Sequence, residues 1–109
     1  MASPLMDKSK AFALRILKVC NEIKREKRES ILTNQLVRSG TSIGANIAEA
    51  QRAQSTADFV SKMKIALKEA NEASYWLRLL HATKRIDDQA YQKMEKLLQI
   101  LNGEMALQK

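Results

Sequence analysis

The chain has 109 residues, a net charge of +7, three glycines, one proline and one cysteine. This length predicts a single domain over residues 1–109 with a hydrophobic core of its own, and the lone Cys20 excludes an intrachain disulfide. No apolar run approaches the roughly 20 residues of a membrane span. Charged residues also interrupt the first 20 positions, so the sequence predicts a cytoplasmic protein without a signal peptide or a membrane partner.

The first predicted helix begins at Pro4, with Ser3 as its N-cap. Serine is favoured at the N-cap because its hydroxyl accepts a free backbone N–H, and proline suits the first helical position. Apolar residues recur at spacings of three and four, as one face of a helix requires. This stripe comprises Phe12, Ile16, Val19 and Ile23, widened by Ala13, Leu17 and Cys20.

The second predicted helix follows Ser30, which can serve as its N-cap. Its core positions are Leu32, Leu36, Ile43, Ile47 and Ala50. Gly40, Gly44 and Ala48 recur every four residues and form a row of small side chains. Each glycine weakens a helix by about 1 kcal/mol relative to alanine, so the row indicates a surface that another helix approaches closely. We expect the row to lie at or near subunit contacts.

The third predicted helix follows the polar break 53–56, where Ser55 and Asp58 resemble a capping box. Its core seam alternates spacings of four and three and comprises Phe59, Met63, Ala66, Ala70, Ala73, Leu77 and Leu80. Ile65, Trp76 and Leu79 fall off this seam, on a flank shared with Glu69 and Glu72. An aligned apolar set that includes tryptophan favours a subunit contact, although a neighbouring helix could instead cover Ile65 and Trp76 as boundary positions.

The fourth predicted helix has Asp87 as its N-cap, and Ile86 and Tyr91 can form a hydrophobic staple across it. Its stripe comprises Tyr91, Met94, Leu98, Leu101 and Met105. Short connections between four amphipathic helices imply antiparallel neighbours. The sequence therefore predicts an all-α fold, an antiparallel up-down-up-down four-helix bundle.

The side chains of the chain do not indicate an enzyme. Di-metal sites in bundles use Glu-x-x-His pairs, whereas the only histidine is His81 and the residue three before it is Arg78, so we expect no metal or cofactor. Cys20 lies on an apolar face and is interpreted as an inert small hydrophobe. Asn46, at the margin of the second helix's core face, is expected to satisfy a hydrogen bond or to fix helix register.

Basic residues are concentrated where an antiparallel bundle would bring helix ends together. The end of the first helix, the start of the second, the end of the third and the start of the fourth share one pole. That pole collects Lys24, Arg25, Lys27, Arg28, Lys84 and Arg85, diluted by Glu26, Glu29, Asp87 and Asp88. We predict a polyanion site there, extended along the second helix by Arg38 and Arg52.

Segments 35–50, 55–59, 65–70 and 72–77 resemble the bacterial four helix bundle protein family, whose founding members are encoded by intervening sequences in 23S rRNA genes. The motif Ser-Ile-x-x-Asn-Ile-x-Glu, here residues 42–49, is the most specific part of the resemblance. The chain departs from many members at Ala50 and Gln51, where they have a glycine. The resemblance implies a four-helix bundle that assembles into a ring, typically a pentamer.

Related accessory proteins of diversity-generating retroelements are basic oligomers that bind a reverse transcriptase and nucleic acid. No catalytic residue can be carried over from the family. Two hypotheses follow for this chain. It is a non-enzymatic, homo-oligomeric protein that binds RNA or DNA non-specifically through backbone charge, or it is an oligomeric adaptor for another protein, such as a reverse transcriptase. The chain has few aromatic residues on which bases could stack, which argues against sequence-specific single-strand recognition.

Overall fold

The computed structural model describes residues 3–108. They form four helices: α1 Pro4–Lys27, α2 Ile31–Gln51, α3 Thr56–Ala82 and α4 Asp88–Leu107. Helices that follow one another in the chain pack together, and α4 also packs against α1. The prediction of an all-α antiparallel four-helix bundle is thereby confirmed. Residues 1, 2 and 109 of the predicted domain lie outside the described part of the chain.

Three of the four predicted N-caps are observed. The hydroxyl of Ser3 accepts the Met6 N–H at 3.0 Å, that of Ser55 accepts the Asp58 N–H at 3.0 Å, and the Asp87 carboxylate accepts the Ala90 N–H at 2.7 Å. Each bond satisfies one of the backbone donors that the first turn of a helix leaves free. The sequence therefore determines where α1, α3 and α4 begin.

The cap of α2 differs from the prediction, because Glu29 replaces Ser30 in this role. The Ser30 side chain makes no cap bond, whereas the Glu29 carboxylate accepts the N–H groups of Leu32 at 2.6 Å and of Thr33 at 3.0 Å. The Thr33 hydroxyl returns a bond to the Glu29 carbonyl at 3.0 Å. A buried carboxylate at a helix N-terminus is stabilised by both these donors and the helix dipole.

Replacing Glu29 by glutamine should therefore change how stability depends on pH. Desolvation acts to raise the pKa of Glu29, but hydrogen bonds from Leu32 and Thr33 outweigh it and hold the pKa below its ordinary value. A depressed pKa contributes stability above the unfolded-state pKa, and this is lost as pH falls through the folded-state pKa. We expect Glu29→Gln to cost about 1 kcal/mol at pH 7, and less as the solution is acidified.

Urea unfolding of both proteins between pH 7 and pH 3 measures this difference. Glu26→Gln is the matched control, since within residues 3–108 the exposed Glu26 carboxylate is paired with Arg25 alone, at 3.9 Å. A constant difference between wild type and Glu29→Gln over the whole pH range would contradict the assigned role.

The predicted core is largely the observed one. Every seam residue of α3 except the half-buried Phe59 is buried, and the α4 stripe is buried from Met94 onward. On α1 the buried face excludes one predicted core residue and extends further toward the N-terminus than predicted. Leu17 is 38% exposed, whereas Leu5 and Ser9 are buried. The difference follows from the way α1 lies against α2.

The small-residue row of α2 forms that contact within the subunit. A Cβ atom at Gly40 would lie 3.3 Å from a side-chain carbon of Ile16, and one at Gly44 would lie 3.2 Å from the Ser9 hydroxyl. Gly40 is buried against α1 of its own subunit, and its predicted place at or near a subunit contact stays a prediction. Gly44, which faces Ser9 of α1, and Ala48 are half-buried. The row brings α1 and α2 close together.

Candidate nucleic-acid interface

The pole predicted to be basic contains a cleft between the end of α1 and the α3–α4 connection. Its volume is about 620 Å³, and three of the predicted cations line it: Lys27, Lys84 and Arg85. Val19, Ile23 and Ile86 supply its apolar surface. The fold therefore brings together basic residues that lie about 57 positions apart in the sequence.

Both chain reversals at this pole place a cation in the left-handed backbone region. Arg28 ends α1 with φ 53°, and Lys84, in the α3–α4 connection, has φ 60°. An L-residue adopts this conformation at a steric cost that glycine does not have. The two turns thus hold exposed basic side chains at the end of the bundle.

Most carboxylates of the pole are already bonded, whereas most of its cations are not. Glu29 and Asp87 cap helices, and Asp88 lies 2.6 Å from Nε2 of His81. Arg25 lies 3.9 Å from Glu26, which at this exposure is a weak pair. The remaining cations have no carboxylate within 4.0 Å among the described residues: Lys24, Lys27, Arg28, Lys84 and Arg85. Glu22 and Glu26, which also line the cleft, reduce its positive charge.

The fold does not add Arg38 or Arg52 to this pole. Arg38 lies on the outer α2/α3 flank, where it donates to Glu72 at 2.8 Å and lies 3.5 Å from Glu69. The hydrogen bond to Glu72 raises the pKa of the Arg38 guanidinium above its ordinary value. Arg52 ends α2 at the opposite pole, next to Gln51, which donates to Ser3 at 2.8 Å. Neither residue lies at the basic pole, and the extension along α2 stays a prediction.

The apolar flank of α3 is partly covered. Ile65 is 39% exposed, and Trp76 and Leu79 are half-buried. The indole Nε1 of Trp76 is buried and has no hydrogen-bond partner in the described part of the chain. Sequence reasoning missed Ile31, which is 78% exposed. Arg38 reaches Glu72, so in an antiparallel pair the residue seven positions earlier, Ile31, lies beside the region of Leu79. The sequence did contain a signal for this exposure, because Ile31 is an apolar residue that lies off the core stripe of α2.

Asn46 and His81 have partners close by. The Asn46 amide donates to the Ser42 carbonyl of its own helix at 2.9 Å, and His81 stacks on Tyr91 with ring centroids 4.2 Å apart. Burial raises the pKa of the Cys20 thiol to about 12, which keeps it protonated and unreactive at neutral pH. Within residues 3–108, no group of three or more His, Cys, Asp or Glu side chains is placed to hold a metal ion.

None of the described helices is both long enough and apolar enough to cross a membrane. A comparison with curated proteins finds no match. Among solved structures, the chain is similar to a protein of unknown function from the S23 ribosomal protein family of Bacteroides thetaiotaomicron VPI-5482, a crystal structure at 1.70 Å resolution. The two share 46% sequence identity with a TM-score of 0.91, over 93% of this chain and 94% of the other.

The family described as 23S rRNA-intervening sequence protein matches residues 3–105. That range begins at the N-cap of α1 and reaches the last buried residue of α4, Met105, so it includes the whole bundle core. The chain therefore belongs to the 23S rRNA-intervening sequence protein family.

Proposed function

We propose that this protein is a non-enzymatic, cytoplasmic nucleic-acid-binding protein that contacts the phosphate backbone with the basic pole of a homo-oligomer. The observation that supports this proposal is that most cations of the pole have no carboxylate close to them. Three of its carboxylates cap helices or bind His81, whereas Lys27, Arg28 and Lys84 have no carboxylate within 4.0 Å among the described residues. Glu22 and Glu26 also line the cleft and reduce its positive charge. Unpaired lysine and arginine side chains bind phosphates independently of base sequence.

Self-association is supported by the outer α2/α3 flank. Ile31, Ile65 and Leu79 leave apolar surface there, and Trp76 adds the edge of a large aromatic side chain. A second copy would remove this surface from water. The family resemblance implies a ring, typically a pentamer, in which the basic pole would be repeated. Several poles binding one polyanion would raise the overall affinity above that of a single subunit.

Charge reversal at the pole tests the proposed function. We expect Lys24→Glu, Arg25→Glu, Lys27→Glu and Arg28→Glu together to abolish binding of a labelled duplex without changing subunit number. In less extensive variants, the removal of each phosphate-binding side chain should flatten the plot of log affinity against log salt by about 0.9. Fluorescence anisotropy over a salt series measures both quantities.

The matched control reverses four cations away from the pole, namely Lys8, Lys10, Arg15 and Lys62. It applies the same change in net charge, so a purely global electrostatic effect would weaken both variants equally. Unchanged affinity and an unchanged salt slope in the pole variant would reject the proposed site.

A second candidate function is that of an adaptor for another protein, for example a reverse transcriptase, as the resemblance implies. The observation that favours it is the exposed apolar surface of Ile31 and Ile65, which nucleic-acid binding does not require. Wild-type protein that binds neither duplex nor single-stranded nucleic acid would favour this function.

A further inference from the structure

Helix α3 separates its charges between two flanks. Arg38 holds Glu69 and Glu72 on the flank that faces α2. On the other side, the Ser74 hydroxyl donates to Glu95 of α4 at 2.8 Å. At 3.6 residues per turn, residues 64, 68, 71, 75 and 78 share the α4 side and the outer surface of the helix. Glu69 and Glu72 are thus paired with Arg38, and Glu72 lies at the edge of this surface, one turn from Lys68 and from Tyr75.

The surface that remains is basic and polar, with an exposed aromatic ring in its middle. Lys64, Lys68 and Arg78 are exposed, and none has a carboxylate within 4.0 Å among the described residues. Tyr75, between Lys68 and Arg78, is 49% exposed. Its ring lies 5.1 Å from that of Trp76 at an interplanar angle of 65°, an edge contact that supports the ring from one side.

The neighbouring surface of α4 adds donors and little free negative charge. Exposed residues on this side of α4 include Gln92, Lys96 and Gln99. Glu95 accepts from Ser74, and its second oxygen, Oε2, is buried. Asp88 is paired with His81. The Tyr75 face, defined as Lys64, Lys68, Tyr75, Arg78, Gln92, Lys96 and Gln99, therefore presents cations and amides around one phenol ring.

We propose that the Tyr75 face binds single-stranded nucleic acid and continues from the basic pole. Arg78 precedes Lys84 by less than two helical turns, so cations extend from the pole onto the side of the bundle. From residue 64 to the end of α3 at residue 82 the helix rise amounts to about 27 Å, a length suited to a short oligonucleotide. A stacked base must be free of its pairing partner, which selects a single strand over a duplex. This inference rests on the proposed function.

The test measures binding of a labelled ten-residue oligothymidylate or oligouridylate by anisotropy, beside a duplex of equal length. Tyr75→Ala should weaken single-strand binding about 5- to 100-fold with an unchanged salt slope, while the duplex affinity stays the same. Tyr75→Phe keeps the ring and should bind like the wild type. Trp76 is the only tryptophan and touches Tyr75, so its fluorescence should change on single-strand binding in the wild type.

The cations are tested separately. Lys68→Gln with Arg78→Gln should flatten the single-strand salt slope by about 1.4, since each phosphate contact contributes about 0.7. Arg15→Gln with Lys18→Gln on α1 is the control of equal charge and should have no effect beyond a small uniform one. Circular dichroism verifies that each variant is folded.

Three outcomes have distinct meanings. Loss of single-strand binding in Tyr75→Ala and in the Lys68/Arg78 variant, but not in the α1 control, supports the Tyr75 face. Unchanged binding in both variants, with binding abolished by charge reversal at the pole, overturns this inference and leaves the proposed function standing. A wild type that binds neither single strand nor duplex overturns both.

Discussion

Replacing Gly40 by leucine is expected to destabilise the bundle by about 1–3 kcal/mol, despite leucine's higher helix propensity. A Cβ atom alone would already lie 3.3 and 3.4 Å from two side-chain carbons of Ile16 and 3.6 Å from Phe12. Three further carbons would have to displace these two buried side chains or separate α1 from α2. Close-packed interiors yield little to such insertions. Thermal and urea unfolding measure the change.

Gly103 provides the opposite control on α4. No atom outside its own turn lies within 4 Å of a Cβ built there, and the position is exposed. Gly103→Ala should therefore raise stability by about 1 kcal/mol, the propensity difference between the two residues. Gly44→Leu should also destabilise, since its Cβ would lie 3.2 Å from the Ser9 hydroxyl. A rise in melting temperature for Gly40→Leu would contradict close α1/α2 packing.

The second large effect is expected on assembly. Ile65→Glu together with Leu79→Glu should dissociate the proposed homo-oligomer into folded subunits, because each change places a charge on surface that self-association would bury. Trp76 is left in place, since it packs against the core and its loss would also weaken the subunit. Sedimentation velocity gives the subunit number, and circular dichroism gives the helix content.

Ile100→Glu with Leu107→Glu is the matched control for assembly. Both residues are exposed apolar side chains of α4, away from the α2/α3 flank. This variant should keep the wild-type sedimentation coefficient. A wild type that sediments as a monomer at micromolar concentration would contradict the proposed assembly.

Periodicity and capping residues predicted most of the fold. The seam of α3, from Met63 to Leu80, is buried at every predicted position, and three N-caps are where hydrogen-bonding preference placed them. These features are local, since each depends on residues within one or two helical turns. The α2 cap was missed because Glu29 and Ser30 compete for the same donors, and burial of the Glu29 side chain decides between them.

The remaining differences depend on which neighbouring helix packs against each face of a given helix. The apolar pattern of one helix does not contain that information. The row at Gly40 indicated a close approach but not its partner, which is α1 of the same subunit. Arg38 was counted as free because the carboxylates that bind it are 31 and 34 residues away in the sequence. Lys27, Lys84 and Arg85 do come together, since antiparallel topology alone determines which helix ends meet.

At Arg28 and Lys84, backbone conformation and surface charge favour different residue types. Chirality disfavours an L-residue in this region by roughly 1–2 kcal/mol, whereas glycine adopts it freely. A sequence optimised for folding alone would have glycine at both turns, and the pole would then lose two of its unpaired cations. The two turns are therefore less stable than they would be with glycine, because they carry charged side chains. Under the proposed function, glycine at either turn would raise thermal stability and lower the affinity for phosphate.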